Sequence, residues 1–154
     1  MSSLGFIPDV SIIVITYFLM VIYNKKIVNL IIKIKLPRFL LFILTSIPLI
    51  ILEENINWGA IGNKYTLLPW TLIPLIIFLI ITGYLARKFK AKSVIVPMYS
   101  LMAFGIIWEL LIGGLRGQMF VLPILFFIFM VFFVGLSYVY ITYIPLKVLL
   151  KENE

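Results

Sequence analysis

The feature that most constrains this chain is its alternation of long apolar runs with short basic clusters. Five stretches each offer about 20 mostly apolar residues, the length that a helix needs to cross about 30 Å of hydrocarbon. Of the 154 residues, 64% are hydrophobic and 12% are charged, and the mean hydropathy is +1.20. A soluble domain of this size leaves about a third of its surface exposed, so it cannot hide this much apolar side chain from water. The excess predicts contact with lipid.

The apolar runs predict an all-α fold, a polytopic integral membrane bundle that forms a single domain over residues 1–154. The five predicted transmembrane helices cover residues 6–23, 37–58, 68–86, 93–115 and 120–146. Between the first two spans, residues 25–35 read KKIVNLIIKIK, in which lysines alternate loosely with aliphatic residues. This segment predicts either a short amphipathic helix at the level of the lipid headgroups or a plain extension of a neighbouring span.

The basic residues indicate how the chain threads through the bilayer. In a five-span arrangement, 11 of the 13 fall in the first loop, the third loop and the C-terminal tail. They are Lys25, Lys26, Lys33, Lys35, Arg38, Arg87, Lys88, Lys90, Lys92, Lys147 and Lys151. Loops rich in Lys and Arg stay in the cytoplasm, so the sequence predicts a multi-pass protein of the cell membrane with its N-terminus outside and its C-terminus inside. Lys64 and Arg116 fall on the outer side.

Composition excludes several classes of function. The chain contains no Cys and no His, which rules out disulfides, thiolate chemistry, Cys/His metal sites and histidine proton shuttles. The sequence therefore predicts no metal site and no cofactor. The net charge of +7 does not indicate nucleic-acid binding, because the basic residues lie in the loops between spans rather than in a basic domain.

Three acidic residues fall inside predicted spans, where an ionisable group is costly and is a functional-site hypothesis by default. Glu53 and Glu54 lie on the second span and Glu109 lies on the fourth. At a rise of 1.5 Å per residue, Glu53 lies roughly 22 Å and Glu109 roughly 24 Å from the cytoplasmic start of its span. We expect these carboxyls to line one site near the outer leaflet if the two spans are neighbours. The alternative is that Glu53 and Glu54 merely end the second span at the hydrated interface.

Other residues at the same height are candidates to complete this acidic site. The predicted binding residues are the apolar walls Trp58 and Trp108 and the polar groups Asn55, Asn57 and Arg116. Gly105 and Gly113 stand four residues on either side of Glu109. Small residues at that spacing predict a face of the fourth span that another helix approaches closely.

These features predict a small multi-pass membrane protein for which three functions remain open. The first is a non-catalytic subunit or accessory component of a membrane complex, with a membrane-protein partner or a second copy of the chain. Brief loops and the lack of soluble catalytic machinery favour it. The second is a membrane enzyme that acts on a lipid or isoprenoid, with Glu53, Glu54 and Glu109 as general acid and base. The third is a cation- or proton-coupled transporter component in which these acids bind the ion.

Overall fold

A computed structural model describes residues 6–60, 69–109 and 124–151 of the chain, with side chains for residues 11–53, 73–109, 124–125 and 127–151. Over these ranges the chain forms six α-helices and no strand. The helices are α1 (Phe6–Ile22), α2 (Asn24–Ile32), α3 (Arg38–Ala60), α4 (Pro69–Lys88), α5 (Ile95–Ile107) and α6 (Ile124–Leu150). The described part of the chain is therefore all-helical.

The segment between the first two predicted spans forms a helix of its own. α2 is bent by 75° from α1, so it does not simply extend that helix. Val28 on α2 is buried against Leu41 of α3 and against Ile144 and Val148 of α6. The lysines of α2 are exposed. α2 thus packs an apolar face on the start of α3 and the end of α6 and leaves its charges outside.

α6 is the central helix, because each of the other five helices packs against it. The most extensive of these interfaces are those with α5 and α3. Gly105 of α5 lies so close to the ring of Tyr138 that a Cβ atom at this position would overlap the ring. The close approach that the sequence predicts at Gly105 is therefore present, and the approaching helix is α6.

α3 and α5 both run antiparallel to α6. Leu41, near the start of α3, packs with Val148 near the end of α6. Ile95, at the start of α5, shares a cavity with Lys147, whereas Gly105 further along α5 meets Tyr138 further back on α6. Both helices therefore begin at the end of the bundle where α6 finishes.

A left-handed residue ends α4. Lys90 has a φ of 48°, and the Ala91 amide donates to the carbonyl oxygen of Ala86 at 2.9 Å. The Lys90 amide donates to the carbonyl oxygen of Arg87 at 3.1 Å. These two hydrogen bonds satisfy the last carbonyl groups of α4. They require a residue in the left-handed conformation, a position that glycine usually occupies. The turn leads directly into α5.

One helical stretch, Phe127–Leu150, is long and apolar enough by itself to cross a membrane, with 24 residues and a mean hydropathy of 2.1. Ser11–Ile22 and Asn24–Ile32 meet the same criteria only if the bent pair counts as one broken span. Ile95–Ile107 is apolar but has 13 residues. The described residues thus show helices and one clear candidate span, and the arrangement of five spans remains a prediction.

Candidate functional site

Glu53 is buried inside the bundle, with 5% of its surface exposed. It does not end its helix, because α3 continues to Ala60. Thr16 on α1 and Glu53 both lie near enough to Tyr140 on α6 to interact with its phenol electrostatically. The Thr16 hydroxyl also donates to the carbonyl oxygen of Ile13 at 3.1 Å. A carboxyl, a phenol and a threonine hydroxyl therefore lie in the same region, where α1, α3 and α6 come together.

Ser137 adds a further hydroxyl to this part of α6. It lies three residues before Tyr140, so the two side chains are neighbours on the helix surface. Ser137 is 2% exposed, and its hydroxyl makes no hydrogen bond within the part of the chain that the structure describes. Sequence reasoning missed Thr16, Ser137 and Tyr140, because isolated hydroxyl residues within a long apolar run read as ordinary parts of a span.

Glu109 follows the end of α5 rather than lying within a continuous α-helix. The α-helix ends at Ile107, and Trp108 and Glu109 form a π-helical turn in which both side chains are half-buried. A π turn bonds five residues back instead of four. Turns of this kind occur frequently at functional sites.

Trp108 packs in an aromatic column between α4 and α5. Its ring stacks on Phe104 with the centroids 5.9 Å apart. Phe104 in turn stacks on Phe78 of α4, with the centroids 3.5 Å apart and the planes at 9°. The predicted apolar wall at Trp108 is thus part of the contact between two helices.

The two acids whose side chains are described lie at similar heights in the bundle. Glu53 is roughly 22 Å from the start of α3, and Glu109 is roughly 21 Å from the start of α5, at 1.5 Å per residue. Both helices begin at the same end, but the main neighbour of each is α6 rather than the other. A site shared by Glu53 and Glu109 therefore remains a prediction.

The remaining predicted site residues lie outside the described side chains. Glu54, Asn55, Asn57 and Trp58 are on the last two turns of α3, and of these the structure describes the backbone alone. Arg116 falls outside the described residues altogether. Their part in the acidic site stays a prediction.

A second candidate site lies at the other end of the bundle. A partly open cavity of about 560 Å³ lies between α2, the segment that leads into α5 and the end of α6, and we call it the basic cavity. Its polar lining includes Lys25, Lys92, Lys147, Lys151, Asn24 and Asn29. Sites for small ligands are typically about 300–1,000 Å³ in volume, so the basic cavity is large enough for a polar headgroup.

Two lysines, Lys147 on α6 and Lys151 directly after its end, are held in place by asparagines of α2. The Lys147 ammonium donates to Oδ1 of Asn24 at 2.9 Å, and the Lys151 ammonium donates to Oδ1 of Asn29. The Lys147 ammonium also lies 5.0 Å from the centroid of the Tyr143 ring. Amide oxygens orient both ammonium groups, and the ring face also orients that of Lys147. Neither the amides nor the ring carries a negative charge that would neutralise the lysines.

The sequence predicts these basic segments on one side of the membrane but does not predict that they share a cavity. The hydrogen-bond partners are 123 and 122 residues apart in the chain. One local signal was available, since Lys147 and Lys151 are four residues apart and therefore lie on one face of a helix. The facing asparagines carried no comparable signal.

Comparison of the chain with protein-family models, with curated proteins and with solved structures finds no match.

Proposed function

We propose that this chain is a polytopic integral membrane protein with five spans, an outer N-terminus and a cytoplasmic C-terminus, and that it serves as a non-catalytic component of a membrane complex. The meeting of three basic segments at one end of the bundle carries the proposal. Lys25 belongs to the first loop, Lys92 to the third loop and Lys147 to the C-terminal region, yet all three line the basic cavity. Because lysine-rich loops remain in the cytoplasm, this convergence supports a single cytoplasmic face.

The first half of α6 supports apolar surroundings for the bundle. Large apolar side chains are exposed there by 43% to 77% of their surface, namely Ile124, Leu125, Ile128, Phe129 and Phe132. The second half of the same helix is almost wholly buried by the other helices. The core helix of a soluble protein would hide such residues, whereas lipid or a membrane partner covers them at no cost in hydration.

Two of the buried hydroxyl groups, those of Ser46 and Thr142, favour a component over a catalyst. Ser46 donates to the carbonyl oxygen of Phe42 at 2.7 Å, and Thr142 donates to that of Tyr138 at 2.7 Å. Both bonds close within one helix, as is usual where a span must satisfy its own polar groups. These hydroxyls are therefore engaged in the structure of the spans rather than held ready for a substrate.

Single-cysteine variants test the topology, since the chain contains no native cysteine. Lys25→Cys, Lys92→Cys and Lys151→Cys are expected to react with a membrane-impermeant maleimide from the cytoplasmic side alone. Lys64→Cys is expected to react from the outside alone. Labelling of Lys25→Cys and Lys92→Cys from opposite faces of the bilayer would contradict the five-span arrangement.

Purification in a mild detergent tests the role as a component. We expect a membrane-protein partner to copurify in stoichiometric amount, or the chain to elute as a defined oligomer. Glu109→Gln is expected to leave this association intact, because a component does not depend on a reactive carboxyl. Recovery of a stable monomer without any partner would contradict the proposal.

The burial of Glu53 beside Tyr140 favours one further candidate, a membrane enzyme that acts on a lipid or isoprenoid. A buried carboxyl next to a phenol is a reasonable general acid for proton transfer within a membrane. If this candidate holds, lipid extracts of cells that contain the chain differ from those of cells that lack it, and Glu53→Gln abolishes the difference. Extracts that do not change would remove the enzyme from consideration.

A further inference from the structure

The basic cavity concentrates positive charge that its described lining does not neutralise. Lys25, Lys92, Lys147 and Lys151 line about 560 Å³, and the described lining contains no acidic residue. Four ammonium groups around one cavity repel each other, and an anion placed among them relieves that repulsion. Glu152 and Glu154 follow Lys151 in the chain and lie outside the described residues.

Part of the cavity is rigid before any ligand binds. Asn24 accepts a hydrogen bond from Lys147 and donates its own amide hydrogen to the carbonyl oxygen of Val21. An ammonium group has three donors, so Lys147 retains donors for a ligand after it binds Asn24. Groups fixed in this way lose little conformational freedom when an anion binds, which increases affinity.

The other wall of the cavity is aliphatic. Val28 and Leu150 are buried, with 4% and 6% of their surface exposed, and Val94 and Ile95 complete this side. A free inorganic anion gains nothing from such a wall. A phospholipid, however, carries its glycerol and first methylene groups directly beside its phosphate, and basic pockets between helices on the cytoplasmic side bind anionic headgroups.

We propose that the basic cavity binds the phosphate of an anionic phospholipid in the cytoplasmic leaflet. Lys25 approaches the phosphate from α2 and Lys92 from the segment before α5, while Lys147 holds it from α6 and Lys151 from just past the end of that helix. The apolar wall contacts the glycerol and the start of the acyl chains. The claim that the phosphate belongs to a lipid rests on the proposed function, which places the chain in a membrane. The claim that the cavity binds a phosphate group does not.

Native mass spectrometry of the purified full chain in a neutral detergent tests this inference. The two probes are phosphatidylglycerol and phosphatidylcholine with identical acyl chains. We expect the chain to retain phosphatidylglycerol preferentially and to gain thermal stability from it. In the double variant Lys25→Gln/Lys92→Gln, affinity for phosphatidylglycerol is expected to fall roughly 10- to 30-fold, from about 1 kcal/mol per lysine. Both lysines are exposed, so folding does not depend on them.

A matched control removes the same charge from the first loop outside the cavity. Lys33→Gln/Lys35→Gln replaces two exposed lysines that do not line the basic cavity, and it is expected to bind as the unmodified chain does. Glu152→Gln/Glu154→Gln removes negative charge near the cavity and is expected not to weaken binding. An equal loss in the two lysine double variants would overturn the inference, since diffuse surface charge would then explain retention.

Two further outcomes separate the lipid from other sources of phosphate. If millimolar inorganic phosphate stabilised the chain as well as phosphatidylglycerol does, the lipid assignment would be wrong. Equal retention of phosphatidylglycerol and phosphatidylcholine would overturn the site itself. The proposed function fails separately, when cysteine labelling places the three basic segments on different faces of the bilayer.

Discussion

At the scale of single residues, a buried carboxyl and several glycines lie at the contacts between helices. Glu53 is placed by α3 at the junction with Thr16 and Tyr140, and the smallest residues mark where helices come closest. Gly83 of α4 meets Phe42, and Gly105 of α5 meets Tyr138, each without room for a Cβ. In a membrane, where no large hydrophobic driving force acts between helices, such close packing is a main source of association.

We expect Gly105→Ala to destabilise the bundle by about 1–3 kcal/mol, the usual cost of overpacking. The added methyl group overlaps the body of the Tyr138 ring, which cannot bend away as a flexible side chain can. Gly135→Ala is the matched control, because its new Cβ would meet the flexible Met102 at 3.3 Å. Thermal unfolding in detergent measures both variants, and an equal effect of the two substitutions would contradict the packing at Gly105.

Lys90→Gly is expected to stabilise the chain by about 1 kcal/mol, because a left-handed conformation strains any residue with a Cβ. Lys90 adopts that conformation with a φ of 48°. The control is Lys88→Gly, which lies in the last turn of α4 and is expected to destabilise by up to about 1 kcal/mol. The measurement is the midpoint of thermal unfolding, and a decrease for Lys90→Gly would show that the turn is not strained.

At the scale of elements, α2 is joined to the bundle by an apolar face and by two hydrogen bonds. Val28 packs on Leu41, Ile144 and Val148, and two asparagines accept hydrogen bonds from lysines at and just past the end of α6. The bend of 75° after α1 makes these contacts possible, because a straight continuation of α1 would carry the asparagines away from α6. α2 is thus the element that closes the basic cavity.

Val28→Ala is expected to lower the free energy of unfolding by about 1–2 kcal/mol, from lost burial and the small cavity that remains. Val28 is 4% exposed, whereas Leu30 on the same helix is 54% exposed. Leu30→Ala is therefore the control and is expected to change stability little. Unfolding in detergent by heat gives both values, and a larger loss for Leu30→Ala would mean that the other face of α2 is the one that packs.

At the scale of the whole molecule, the distribution of exposed apolar surface bears on the medium around the bundle. The exposed residues of α6 are continuous with its buried half, so the same helix changes along its length from buried side chains to exposed apolar ones. Charged groups instead gather at the end where α2, α5 and α6 meet. This separation is typical of a bundle that stands in a bilayer with one charged face in water.

We expect the chain to remain in the membrane pellet after extraction with alkaline carbonate and to be released by detergent. Carbonate removes proteins that are held by charge, whereas spans held by hydrocarbon contact stay in place. A peripheral protein in the same preparation serves as the control for effective extraction. Release of the chain by carbonate would contradict membrane integration.

Much of the architecture is a local property and was therefore predictable. A run of about 20 apolar residues encodes a helix without reference to the rest of the chain, and the all-helical class follows from those runs. The observed ends of the helices differ from the predicted ones by a few residues. For example, α6 continues to Leu150 instead of ending at residue 146. The sequence also predicted that Lys25, Lys92 and Lys147 lie on one side of a five-span bundle, but it did not predict the cavity that they share.

The tertiary structure alone decided which helix is central and which side chains meet. Nothing in the sequence around Lys147 indicates that its partner is Asn24, which lies 123 residues away, or that Tyr140 lies beside Thr16 and Glu53. Such contacts depend on how helix surfaces fit together, and that fit involves the shapes of several helices at once. The apolar pattern of one span is satisfied by many neighbours, so it specifies burial without specifying the partner.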